Sequence, residues 1–175
     1  MVQRSGGTPT AGGGYIFVAN QIFTRGEDAA WEYITKLNEN IDHYTKGAGD
    51  VIGLVASGEF AASYAWAHDS YSSVKEGYPL EIVIPENTAF EIGGAAVVEG
   101  GSNADNAKIF IDWLLSKEIG QLNTELSNRY SLRPDVAPPN GLPKVEDIKV
   151  SDYDRTKAAE MKDTWVTKFS EITGA

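Results

Sequence analysis

Apolar residues recur at helical spacing in several stretches of this chain, and short β-rich runs separate them. Tyr15, Val18, Ala19, Ile22 and Phe23 mark one face of a helix. Arg25 and Gly26 close it, a cation in the last turn and then a glycine. Ala30, Tyr33, Ile34, Leu37 and Ile41 mark a second apolar stripe. His43–Thr45 reads as a short strand. Gly47 and Gly49 turn the chain into a helix over Asp50–Ser57, with Gly58 as its cap. Ala61–Trp66 reads as a buried strand and His68–Lys75 as a short helix closed by Gly77. Leu80–Ile84 is a β-rich run stopped by Pro85, and Ala89–Val98 is a further apolar run. This alternation restricts the chain to the α/β class. The strands are few and short for a complete sheet.

The remainder is more helical. Asn103 is placed to cap a helix over Ala104–Leu115, and another covers Ser116–Leu126. Ser131–Pro143 holds four Pro, so it is an extended surface segment. A C-terminal helix from Tyr153 to Ile172 carries Ala158, Met161, Trp165, Phe169 and Ile172 on one side. The Gly-rich start, Met1–Gly14, reads as a loop.

Composition removes several kinds of chemistry. Fifteen Lys and Arg against 25 Asp and Glu leave a net charge of −10 over 175 residues. Phosphate-backbone binding needs a basic surface, so no nucleic-acid partner is expected. The absence of Cys excludes disulfides, thiol catalysis and thiolate zinc sites. His43 and His68 are too few for a histidine-built metal centre, and no cofactor is expected. No stretch approaches the ~20 apolar residues of a membrane helix. Met1–Gly14 also lacks the apolar core of a signal peptide. On these grounds the chain reads as soluble, either staying where it is made or having its targeting segment outside this sequence.

Four places carry possible chemistry. The first is Gly6–Tyr15, where Thr8, Thr10, Ala11, Gly12, Gly13 and Gly14 run directly into a helix. Free backbone N–H groups and the helix dipole favour an anion at such a junction. A phosphate loop of the GxxxxGK[ST] kind is excluded, because no Lys follows. A terminal loop that only starts the helix is the competing reading. The second is Gly47–Gly53, whose GxGxxxG spacing departs from the dinucleotide fingerprint and reads better as a turn into a helix. The third is Tyr64–Asp69, an aromatic strand ending in polar residues. Trp66, His68 and Asp69 suit the wall of a small-ligand site; a core Trp66 with Asp69 capping the helix is the alternative. The fourth is the loop Pro85–Glu91, which offers Thr88 and Glu91 or is an ordinary solvated loop. No catalytic triad or Ser elbow is recognisable.

Phe90–Glu118, with its EIG strand, its GGSNADNA turn and its KIFIDWLLSKE helix, resembles the iron(III)-type substrate-binding proteins of ABC transporters. Tyr130–Pro143, Ile148–Asp154, Thr8–Phe17 and Val55–Asp69 are similar to other segments of that family. The resemblance implies a type II periplasmic binding fold, in which two lobes close on a ligand at a hinge. It implies the second lobe plus the returning part of the first, with an N-terminal half missing. Residues 1–84 would lie mostly in the second lobe, 85–130 would return to the first, and 131–175 would be the Pro-rich segment and C-terminal helix. The unpaired edges would promote self-association. Ferric-ion members use adjacent tyrosines, whereas this chain reads Ser63-Tyr64-Ala65-Trp66.

The implied function is therefore a non-catalytic solute-binding component of an ABC importer, periplasmic or extracytoplasmic, with a permease as partner. Its ligand would be a small anion or zwitterion held by Thr8, Thr10, Ala11, Gly12, Gly13, Gly14, Trp66, His68, Asp69, Thr88 and Glu91. An α/β enzyme acting on a phosphate-containing small molecule, a ferric-ion binding protein and a module completed by a partner chain remain open as alternatives.

Overall fold

Glycine at 26 separates the first two helices because its backbone must turn left-handed there, with φ of 83°. A computed structural model of the protein describes residues 4–7, 12–47 and 49–175. Helix α1 (Gly12–Arg25) ends where the Gly26 N–H reaches the Ile22 carbonyl at 2.9 Å. Helix α2 (Glu27–Asn38) starts immediately after. It stops before Ile41, so that residue opens a strand instead of closing the helical stripe.

The sheet is built from β1 (Arg4–Gly7), β2 (Ile41–Thr45) and β3 (Ala62–Ser63), in the order β2-β1-β3 and all parallel. Ser5 pairs with His43 on one side and Ser63 on the other. The start of the chain thus supplies the central strand, a correction to the loop expected over Met1–Gly14. Its small, polar residues give no strand signal; the ladder bonds to two neighbours supply what propensity does not. The strand expected over Ala61–Trp66 shortens to Ala62–Ser63, which pair with Arg4 and Ser5.

Helices follow the strands. Helix α3 (Asp50–Ala56) comes after β2, and α4 (Ala67–Lys75) comes after β3. Glycines 58 and 77 end them with positive φ, as the sequence indicated. The runs Leu80–Ile84 and Ala89–Val98 form no strand. Between them, Thr88 makes an isolated parallel bridge with Val150. An extended run without a neighbouring strand has no ladder to join.

Two compact units emerge, residues 1–90 with 148–175, and residues 91–147. These boundaries differ from the sequence divisions at 84 and 130, because the C-terminal helices pack with the first unit. Helix α5 (Ala104–Leu114) and helix α6 (Lys117–Ser127) form the second unit with the Pro-rich segment. Asn103 precedes α5 but its side chain makes no cap bond, whereas Ser116 accepts from the Ile119 N–H ahead of α6. The Pro-rich segment stays irregular and is tied down by side chains. Gln121 accepts from the Ala137 N–H at 3.2 Å, and Arg133 donates to the Leu115 carbonyl at 3.0 Å.

The C-terminal helix is two helices, α7 (Arg155–Glu160) and α8 (Lys162–Thr173), separated at Met161. The expected apolar side survives the break. Ala158, Trp165 and Phe169 are buried against Tyr15, Val18, Ala19 and Ile22 of α1 and Ala30, Trp31 and Ile34 of α2. Phe23 meets Trp165 edge-on at 5.7 Å, and Tyr44 meets Phe169 edge-on at 5.3 Å. Each such large side chain contributes about 1.5–3 kcal/mol by leaving water. The Tyr15 hydroxyl donates to the Ala158 carbonyl, joining α1 to α7. Among the described residues, no helix is long and apolar enough to cross a membrane.

Candidate functional site

Because β1, β2 and β3 are parallel, all three carboxyl ends lie along one edge of the sheet. Helices α1, α3 and α4 each begin after one of those ends. Backbone N–H groups of helix starts are thus gathered on one side of the sheet, with the positive ends of their dipoles. In α1, Gly12 is exposed, Gly13 half-buried and Gly14 buried. A Cβ on Gly12 would meet nothing within 4 Å, so the helix is open at its first residue. Thr8, Thr10 and Ala11 lie outside the described residues.

The aromatic segment after β3 forms the neighbouring wall. Trp66 is the residue ahead of α4, with an extended backbone and no side-chain cap on the helix. Its ring is half-buried and lies 6.0 Å from the His68 ring, outside the main core cluster. Asp69, in the first turn, sets a carboxylate oxygen 3.3 Å from His68 Nε2. Trp66 thus lies outside the main core cluster, and Asp69 makes no cap bond to α4. Trp66, His68 and Asp69 form one constellation.

The other two sequence candidates are placed differently. Thr88 uses its backbone to join the segment around Val150, donating to the Lys149 carbonyl and accepting from the Ser151 N–H. Glu91 is exposed and is the first residue of the second unit. Gly47–Gly53 proves to be the turn into α3. The Asp50 carboxylate accepts from the Gly47 N–H at 3.1 Å, and a Cβ on Gly47 would stand 2.8 Å from that oxygen.

The sequence placed Tyr64 in the aromatic strand but gave no sign that it meets Phe17. Their rings stack at 4.2 Å with only 9° between planes. With Tyr33, Leu37 and Ile41 they line a cavity of about 190 Å³. The signal was weak, because two aromatics 47 positions apart share no periodic pattern. Burial is the main cause that pushes the Tyr64 hydroxyl well above the usual phenol range, with Tyr44 adding to it. That raises the cost of a tyrosinate, the species a ferric ion would need here. Among the described residues, no three His, Asp or Glu side chains gather in a group able to hold a metal ion.

Three curated relatives frame this arrangement. A Haemophilus influenzae protein of unassigned role is 37% identical over 114 residues, 65% of this chain and 33% of that one. The putative 2-aminoethylphosphonate-binding periplasmic protein of Salmonella typhi is 28% identical over 118 residues, 64% of this chain and 35% of that one. The major ferric iron-binding protein of Neisseria meningitidis is 26% identical over 172 residues, 90% of this chain and 50% of that one. The chain spans between a third and a half of these relatives' length.

Among solved structures, the periplasmic binding protein AfuA of Actinobacillus pleuropneumoniae, bound to exogenous fructose-6-phosphate, superposes with a TM-score of 0.89. It is 27% identical, and the match covers 99% of this chain and 56% of that one. The fold is accordingly α/β of the type II periplasmic binding protein kind. Residues 6–150, running from the central strand through the aromatic wall and both units, match the family model, and the chain belongs to the bacterial extracellular solute-binding proteins.

Proposed function

We propose that the chain is part of the solute-binding component of an ABC importer, working in the periplasm or outside the cytoplasm with a permease. Residues 1–84 would contribute mostly to the second lobe and 85–130 would lead into the first. The ligand is a small anion or zwitterion carrying a phosphate or phosphonate group. Its anionic end would sit at Thr8–Gly14 and its other end against Trp66, His68 and Asp69, with Thr88 near it. The protein is not an enzyme in this reading: it holds its ligand and hands it on unchanged.

The carrying observation is the shared edge at which α1 and α4 both begin, one with a Gly-rich start open at Gly12 and the other with an uncapped start beside Trp66. Backbone donors there suit phosphate oxygens, and Asp69 with the Trp66 ring suits a cationic or hydroxyl-rich end. The ligands named for the phosphonate-binding relative and for AfuA are of this chemical kind.

Titrating the protein with 2-aminoethylphosphonate and with fructose-6-phosphate, while following backbone amide resonances, tests the reading. Shifts are expected at Gly12–Gly14 and at Ala67–Asp69. A ferric salt that gives a tyrosinate charge-transfer band, with no response to either phosphorus compound, would replace this reading by the ferric one. Conversion of either compound to product, lost on mutating a site residue, would replace it by the enzyme reading.

A further inference from the structure

The chain passes between its two units at residues 90–91 and 147–148. The segments just inside the first unit, Pro85–Phe90 and Ile148–Tyr153, are held together by a single parallel bridge between Thr88 and Val150. Two backbone hydrogen bonds make it, Thr88 N–H to the Lys149 carbonyl at 3.2 Å and Ser151 N–H to the Thr88 carbonyl at 2.9 Å. One bridge is little to resist fraying, since a ladder gains strength from repetition.

A buried side chain of α1 reinforces it. Asn20 is 8% exposed, unusual for an asparagine in mid-helix. Its Nδ2 donates to the Asn87 carbonyl at 2.9 Å, and its Oδ1 accepts from the Ser151 hydroxyl at 2.5 Å. One amide therefore holds both segments at once, one by its donor and one by its acceptor. Asn87 stands in the left-handed region with φ of 58°, a turn conformation that asparagine adopts more readily than most residues. The Glu86–Lys149 ion pair lies alongside but is exposed, so it adds little.

We infer that Asn20 is a positioning residue that fixes the roots of both inter-unit connections to α1. The freedom of the connections then begins beyond Phe90 and before Ile148, and α1 with its N-terminal turn moves as one body with both roots. Isosteric leucine would fill the space but hold neither segment, leaving the Asn87 carbonyl and the Ser151 hydroxyl without this partner. Aspartate keeps the acceptor for Ser151 and loses the donor for Asn87, so it releases only one root.

Spin labels on the paired substitutions Glu32→Cys and Glu125→Cys, one in each unit, read the freedom of the connections as the width of the distance distribution. Amide exchange at Thr88 and Ser151 reads the bridge. Asn20→Leu should broaden the distribution and speed exchange at both amides roughly fivefold or more, as losing about 1 kcal/mol of hydrogen bonding requires. Exchange at Ile22 and Ile34 should stay unchanged. Asn20→Asp and Ser151→Ala should each give a smaller broadening.

A distribution of unchanged width in Asn20→Leu, with the core protected, overturns the inference: Asn20 would then be a buried polar group with a packing role only. If Asn20→Leu does not fold, the two milder variants decide. Broadening in both supports the proposal, and wild-type width in both overturns it. No ligand enters the measurement, so its outcome is independent of the proposed function.

Discussion

Gly47 and Asp50 show how one contact sets a local structure. The Asp50 carboxylate satisfies the Gly47 N–H ahead of α3, and the glycine leaves just enough room for it. Gly47→Ala should therefore destabilise the protein by about 0.5–2 kcal/mol, the range for losing a capping side chain. Asp50→Ala should cost a similar amount. The double variant should cost clearly less than the sum in denaturant titration, because both changes remove the same contact. Tyr15 gives a prediction in pH. Burial first, then the negative charge of Tyr153 and Asp163, pushes its hydroxyl from 10.0 up to about 12, and burial does the same for Tyr44. Between pH 10 and about 12 the unfolded chain loses these protons while the folded one keeps them. Stability is thus full below pH 10 and falls as pH rises through that window. Melting followed against alkaline pH should show this decline, and Tyr15→Phe should make it shallower.

Among the elements, α8 is the one on which the first unit most depends. It brings Trp165, with none of its surface exposed, and Phe169, at 2%, onto α1 and α2. Trp165→Ala should cost about 3–5 kcal/mol, the usual range for emptying a buried Trp site. The loss of near-ultraviolet circular dichroism at lower denaturant concentration would record it. The short α7 is held differently: Asp154 accepts from the Lys157 N–H at 2.9 Å. Asp154→Ala should cost only about 0.5–2 kcal/mol, since it removes a cap and no packing. Equal costs for the two variants would mean that α8 does not carry the core.

The two units differ as whole bodies. Among the described residues, nearly all the buried apolar side chains belong to the first, and the second contributes Val136 and Pro139. In the second unit, Ile109, Phe110, Trp113 and Leu115 are each more than half exposed. An apolar face of this size seeks a cover. Sedimentation velocity at rising protein concentration should therefore show reversible self-association, and Phe110→Lys with Trp113→Lys should abolish it without lowering the melting temperature of the first unit. A wild-type protein that stays monomeric throughout would contradict this. Denaturation should also occur in two steps, the second unit unfolding first because so little apolar surface holds it.

Helix positions were legible in the chain because their signal is local. The stripe of α1, the glycines after α1, α3 and α4, and the apolar side of the C-terminal helices all express a 3.6-residue period or a backbone requirement of one residue. The kind of fold was legible too, from the alternation of elements and from the segment Phe90–Glu118. The sheet was not. Arg4–Gly7 is a strand only because β2 and β3 flank it, and Leu80–Ile84 has every strand preference yet no neighbour. Strand pairing joins residues 37 to 38 and 58 positions apart, and no short window of sequence contains both partners. The site divides along the same line. Residues Trp66, His68 and Asp69 are contiguous and could be read together, and Gly12–Gly14 announced a helix start. That both helix starts open on one edge, that Phe17 stacks on Tyr64, and that Asn20 holds both connecting segments are facts of tertiary packing, set by distances that only the folded chain brings into being.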